Sequence, residues 1–486
     1  MNKEIDYKKY LGVIDAKSMQ LSDLSDKIWD YAETAFEEFQ SAEALAAYLE
    51  KEGFKVQREA CGIKTAFIAS FGSGNPKIGI LGEFDALAGL SQISGVAASK
   101  SLVQGANGHG CGHNLLGVGS VAAALAVKNF LEDGFAGTVV YYGCPGEEGG
   151  SGKAFMARDG AFSELDCALT WHPSTMNKVA QNSSLANFQV KYSFNGISAH
   201  AAGCPEMGRS ALDALELMNV GANFLREHMI DQARVHYAIT DAGGFSPNVV
   251  QNFASATYLI RAPKMDQAYA LAKRVEKVAE GAAMMTETTV DYHLMKSCAN
   301  MVSNLVLEQL LDNCMHEIGY ESCTDAELEL SKSFTKTQPT GADRPYLDMI
   351  EDHLDAQNKK TLYHQKVQSF YDFVIPYEPM HIVRIEGGST DVGDVSYMCP
   401  TAQLHAATWA PDTTGHSWQV VAQGKLSYAH KGMLFAGKSI ALTAIRLMQH
   451  PELIEQAKKE HKMAINGQSY IPIPADVKPM PIRSAK

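Results

Sequence analysis

Two glycine-rich stretches and two isolated residues in this chain combine side chains that hold metal ions and move protons. Residues 107–114 read N-G-H-G-C-G-H-N. Cys111 and His113 stand two apart, so on a helix they would diverge. In an extended segment they lie on one side, and this spacing predicts that both reach one metal cluster. The glycines would let the backbone turn just before a helix begins. A buried cysteine beside a helix-capping loop is the alternative. Residues 143–150 read G-C-P-G-E-E-G-G. Adjacent glutamates leave the backbone in different directions, which predicts a division of labour: one carboxylate ligates metal and the other acts as general base. A divalent ion lowers the pKa of bound water from about 15.7 toward about 7, where a carboxylate takes its proton near neutral pH. Paired glutamates are more commonly a solvated acidic loop, but here glycine and proline flank them and a strand ends just before them. His172, in A-L-T-W-H-P-S, offers a neutral imidazole; alone it would more often be a hydrogen-bonded core histidine. Asp85, in L-G-E-F-D-A-L, could orient a histidine ligand or cap a helix.

The elements that must position these groups alternate. Runs 65–71, 77–82, 137–143 and 167–171 are rich in strand-forming residues and are separated by helical stretches. The pattern predicts an α/β fold, a central sheet with helices on both faces. Chemistry in such sheets gathers beyond the carboxyl ends of the strands. Three of the runs, 77–82, 137–143 and 167–171, are followed by polar groups there: Glu83 and Asp85, Glu147 and Glu148, then His172. An amphipathic helix is expected over 21–51. From about 186 the order becomes β-α-β-β-α-β, with strands at 188–194, 234–240, 249–261 and 288–293 and helices at 207–228 and 265–284, a ferredoxin-like α+β unit. The expected domains are 1–186, the first part of the catalytic domain; 187–300, an inserted lid and dimerisation domain; and 301–486, the second part. A long helix after His430 closes the chain, and a proline-rich tail from 470 wraps the surface.

A length of 486 residues calls for two domains. With 46% hydrophobic and 20% charged residues the chain has the balance of a globular protein, and a net charge of −13 argues against a nucleic-acid surface. The start, MNKEIDYKKYLGVIDAKSMQ, scatters its charges and lacks a signal-peptide core. The apolar stretch 115–131 is broken by Gly, Ser, Lys and Asn and reads as a buried helix, so no membrane partner is expected. Nine scattered cysteines without a C-x-x-C pair predict reduced thiols and a cytoplasmic location.

The segments G-E-F-D-A-L, G-H-G-C-G-H-N, C-P-G-E-E-G-G, W-H-P and I-S-A-H-A-A resemble the aminoacylase and glutamate carboxypeptidase superfamily of dinuclear metallopeptidases, in its Cys-Gly-His branch. G-R-S-A-L-D-A, S-P-N-V-V-Q, S-T-D-V-G-D-V-S and A-H-K-G-M-L agree along nearly the whole chain. The resemblance implies two divalent ions, Mn or Zn, held by Cys111, His113, Glu148, His172 and His416, the last in T-G-H-S-W. His430 is the competitor for that last place and reads as structural. Glu147 would be the general base. His200 would reach the active site of a partner subunit and stabilise the oxyanion, and Asn248 and Arg261 would hold the substrate. Asp391 and Asp394 match family positions without a role. Asn114 and Glu83 stand where relatives often carry Asp, and neither is expected to touch metal. The implied reaction is amide hydrolysis of an N-acyl amino acid, with p-aminobenzoyl-glutamate the preferred substrate, by a homodimer or a heterodimer with a related subunit. A broader aminoacylase or dipeptidase is one alternative. A non-catalytic partner subunit is another, weakened by the full set of ligands.

Overall fold

The computed structural model describes residues 6–338, 354–365, 368–379, 385 and 387–481. Its strands, in chain order, are β1 Lys55–Arg58, β2 Phe67–Ser73, β3 Lys77–Glu83, β4 Gly137–Cys144, β5 Cys167–Ser174, β6 Lys178–Val179, β7 Ala186–Asn195, β8 Arg234–Asp241, β9 Phe253–Ala262, β10 Thr289–Cys298 and β11 Thr401–Ala407. Seven form one sheet in the order β1-β2-β4-β3-β5-β11-β6. The middle four run parallel, and β1, β2 and β6 pair antiparallel at the edges. Side chains alternate between two cores, as a two-residue period requires. Ile78, Ile80, Val139, Tyr141, Leu169 and Trp171 face one core; Leu81, Val140, Tyr142 and Ala168 face the other. Helices His113–Glu132 and Ser427–Gln449 cover the first face, and Gly152–Arg158 and Val392–Met398 the second. The parallel strands are thus buried on both sides.

The helix His113–Glu132 is long and apolar enough to cross a membrane by length and composition, which the sequence reading did not credit, but 89% of its apolar window is buried inside the protein. The expected helix over 21–51 is two, Ser18–Tyr31 and Phe39–Lys51. Ala32 takes a left-handed φ of 44° between them, and Thr34 forms a bridge to Ala86. That break sends Glu38 inward. At the other end His430 lies in Ser427–Gln449, which is not the last helix: Pro451, which cannot continue it, opens another, Pro451–Ala464. The tail beyond lies against the body with Ile473 and Val477 buried.

The second sheet, β10-β7-β9-β8, is antiparallel throughout. This is the ferredoxin-like arrangement, with helices Ala211–Leu225 and Met265–Thr286 on one face. β9 begins at Phe253, later than expected, because Val249 bridges to His200 in a loop. The open face of this sheet carries Asn187, Gln189, Leu259, Arg261, Lys296 and Cys298, which line a cavity against the first sheet.

Candidate metal centre and substrate cavity

The parallel strands deliver their carboxyl ends to one place. Glu83 closes β3, Glu147 and Glu148 follow β4, and His172 lies near the end of β5. Cys111 and His113 meet them from the start of the long helix. Their segment is not extended, as the spacing had suggested. Gly112 adopts a left-handed φ of 75°, and its Cβ-free side lies against Pro173. The turn, and not strand geometry, brings the thiol and the imidazole together with His172, their ligand atoms all within 4.8 Å of one another.

Each ligand candidate is aimed by a neighbour. Nδ1 of His113 lies 2.9 Å from Asp85 Oδ1, which leaves Nε2 facing the site. The other oxygen of Asp85 accepts from the backbone N–H of Glu148 at 2.8 Å, so one carboxylate orients two elements. Nδ1 of His172 lies 2.7 Å from the Pro173 carbonyl, which selects the tautomer with a free Nε2. That Nε2 stands 3.3 Å from Cys111 Sγ. His416 holds a left-handed φ of 58°, costly for a residue with a Cβ. Its backbone N–H bonds to Gly110, and its Nε2 lies 3.0 Å from Glu148 Oε1.

The spacing of these atoms fits metal ions. Two donors about 2.1 Å from one ion lie roughly 3.0–3.4 Å apart. The pairs Cys111–His172 at 3.3 Å and Glu148–His416 at 3.0 Å have that spacing. Glu148 Oε1 and His113 Nε2 are buried without a hydrogen bond, since the approach of His416 to Glu148 is poorly directed. Thiolate, imidazole and carboxylate together suit a borderline-to-soft divalent ion. Burial opposes ionisation of Glu148, but contact with His416 and the charge of His113 bring its carboxyl down to about 2. Burial, with the charges of Glu83 and Glu148, pushes the Glu147 carboxyl well above the usual range.

The cavity over this centre measures about 610 Å³ and is lined by Cys111, Glu147, Glu148, His172, His416 and Arg261, among others. Nη1 of Arg261 donates to Ser389 Oγ at 2.9 Å. His200 and Asn248 do not line it. Both are exposed on loops tied to each other, Ala201 N–H donating to the Asn248 carbonyl at 3.0 Å. His430 pairs with Asp26 at 3.0 Å, and Asn114 donates to Ser25 and Gly424; both are packing contacts.

Sequence reasoning missed several groups. Glu83, expected away from the metal, stands 3.3 Å from His113 Nε2 and groups with His113 and Glu147. Lys153, wholly buried, joins Glu83 to Asp391. Glu38 accepts from the N–H groups of Phe36 and Gly146, bracing the loop before the paired glutamates. Burial and the charge of Asp85 push its carboxyl up to about 8. His405, in register with His172 on β11, also lines the cavity. Its position two residues from the end of an apolar strand, like that of His172, was the available signal. Asp394 accepts from Ala299 N–H and from the Tyr470 hydroxyl in the tail.

Comparison with known proteins agrees with this geometry. Peptidase family M20/M25/M40 matches residues 80–374. One of the subunits of p-aminobenzoyl-glutamate hydrolase from Escherichia coli (strain K12) is 47% identical over 97% of this chain and 98% of its own length. The Xaa-Arg dipeptidase of Mus musculus is 28% identical over 94% and 92%. Among solved structures, the aminobenzoyl-glutamate utilization protein of Klebsiella pneumoniae superposes with a TM-score of 0.59 at 16% identity, covering 91% of this chain and 98% of that one. A dinuclear metal-binding peptidase of the M20 family from Bacillus subtilis gives 0.53 at 14%, covering 88% and 99%. These two likenesses establish the fold. The near full-length identity and the family match carry more: with a cluster of Cys, His and Glu side chains spaced as metal ligands, this chain belongs to the M20/M25/M40 peptidase family and is a hydrolase of amide bonds.

Proposed function

We propose that the enzyme hydrolyses p-aminobenzoyl-glutamate to p-aminobenzoate and glutamate, within a wider class of N-acyl amino acids. The observation that carries this reading is the cavity, which joins the ion-facing cluster on its floor to the cations Arg261 and Lys296 on its wall. A substrate carboxylate near Arg261 would place an adjoining amide over the floor. The identity with the E. coli hydrolase supports the acyl group. The cationic wall disfavours the arginine side chain that the name of the mouse relative implies for its substrates.

Cys111, His113, Glu148, His172 and His416 would hold two ions, manganese or zinc. When bound, the ions acidify water and polarise the amide carbonyl. Glu147 takes a proton from the attacking water as its oxygen bonds to the carbonyl carbon. It returns that proton to the amide nitrogen as the C–N bond breaks, releasing the amine of glutamate. Asp85 and the Pro173 carbonyl hold the two imidazoles in the tautomers that face the floor. Arg261 grips a carboxylate with its planar fork.

His200, exposed in its own chain, fits a role across a dimer, donating to the oxyanion in the partner's site. Because its loop is tied to Asn248, the same crossing would bring Asn248 to the substrate. The helix Ala211–Leu225 supports association: Leu217, Val220 and Phe224 form an exposed apolar stripe opposite its buried face. A second copy or a related subunit could cover it. Nine free cysteines support a reducing compartment, the cytoplasm. Expression of this chain alone with manganese, followed by rate comparison on p-aminobenzoyl-glutamate and on Xaa-Arg dipeptides, tests the reading. Faster turnover of the dipeptides would replace the substrate. Full metal content with no turnover of either would favour a dependent subunit.

A further inference from the structure

His113 faces a second carboxylate that the five-ligand set leaves out. Its Nδ1 is engaged by Asp85 at 2.9 Å, so Nε2 is the nitrogen turned toward the site. Glu83 Oε2 stands 3.3 Å from that nitrogen, and no hydrogen bond joins them. Both groups are buried, His113 at 0% and Glu83 at 2% exposure. A carboxylate oxygen and an imidazole nitrogen facing each other away from water need a proton or a metal ion between them, and their separation is that of two ligands on one ion.

The rest of Glu83 is fixed from behind. Its Oε1 lies 2.6 Å from Nζ of Lys153, which is fully buried. The same ammonium lies 2.6 Å from Asp391 Oδ1, and the Lys153 backbone N–H donates to Asp391 Oδ2 at 2.8 Å. Asp391 holds the ammonium, and the ammonium sets the rotation of the Glu83 carboxylate so that its free oxygen meets His113. A lysine that only neutralised charge would not need both carboxylates in this alignment.

We propose that Glu83 is a further ligand of the metal centre, on the His113 side, and that Lys153, anchored by Asp391, is the positioning residue that aims it. This rests on the reading that the centre holds divalent ions, and calorimetry separates the two. Manganese is titrated into metal-stripped wild-type protein and into Glu83→Gln, Lys153→Met and Asp391→Asn variants. Circular dichroism checks folding. Wild type binds two ions. Glu83→Gln weakens one of them roughly 10–100-fold and shifts the visible spectrum of the cobalt-loaded protein. Lys153→Met weakens the same ion. If Lys153→Met does not fold, Asp391→Asn, which keeps the ammonium and loosens its anchor, gives the same readout. Two ions bound by Glu83→Gln with wild-type affinity would overturn the ligand assignment. Unchanged binding in both Lys153→Met and Asp391→Asn, or in Asp391→Asn when Lys153→Met does not fold, would overturn the positioning role. A wild type that binds no ion would overturn the metal reading beneath both.

Discussion

The two sheets of this molecule treat charge and apolar surface in opposite ways. At the carboxyl edge of the seven-stranded sheet, Glu83, Asp85, His113, Lys153 and Asp391 are buried almost completely. On the helices of the four-stranded sheet, large apolar groups stand in the open, with Phe224 74% and Met284 82% exposed. Burying a charge costs several kcal/mol unless a partner matches it, so the first arrangement persists because nearly every member is paired or faces a metal site. An exposed apolar stripe persists without such a match, and under the proposed association it is the surface that a partner covers. The first region supplies the ion-facing groups from one chain. The second keeps His200 away from that chain's own cavity.

The sharpest test of the first half is Glu147→Gln, expected to retain its metals and lose roughly 10²–10⁴-fold in turnover. Metal analysis beside a hydrolysis assay checks it, and wild-type turnover would remove Glu147 as the base. The second half is tested by His200→Ala, expected to cost roughly 10²–10³-fold with metal content unchanged. Mixing it with Glu147→Gln restores activity if His200 acts across subunits, because one site of the hybrid then has both groups intact. Absence of recovery would place the histidine's action within its own chain or remove it. A smaller effect is expected from Phe224→Glu, which shifts the dimer toward monomer by light scattering and lowers activity in proportion. An unaltered mass would move the interface to another face. The smallest effect concerns Glu308, buried on the helix Leu305–Ile318 away from the metal centre and accepting from the Tyr377 hydroxyl. Burial pushes its carboxyl up to about 7 from an ordinary 4.5. The folded chain keeps a proton that the unfolded chain has lost, so stability falls as pH rises from 4.5 toward about 7. Glu308→Gln is expected to flatten that part of the Tm-against-pH curve by a few degrees. A curve parallel to wild type would mean another group sets the slope.

Much of the centre was legible because a parallel sheet gathers the ends of its strands. Glu147, Glu148 and His172 could be picked out from apolar runs followed by polar residues, without any knowledge of contacts. His416 came from a resemblance, since it lies on a loop that no periodicity marks. Lys153 was not legible: a lysine early in a glycine-rich segment reads as surface, and only packing against Glu83 and Asp391 makes it interior. Glu38 escaped for a related reason. The amphipathic pattern runs through residues 21–51, and nothing local shows that the chain breaks at Ala32 to turn a glutamate inward. Cys111 and His113 were expected to meet through an extended segment, but one left-handed glycine brings them side by side instead.

Residue types and their spacing determined which side chains are able to ligate, take protons or grip a carboxylate. Hydrophobic period determined that the chain forms a doubly covered sheet with a ferredoxin-like companion. The tertiary structure alone decided which oxygen of each carboxylate faces the centre, which imidazole tautomer is held, and which residues are kept away. Those choices depend on contacts between segments hundreds of residues apart, such as Lys153 with Asp391, and on the dehydration that packing imposes on them. A linear pattern specifies neither.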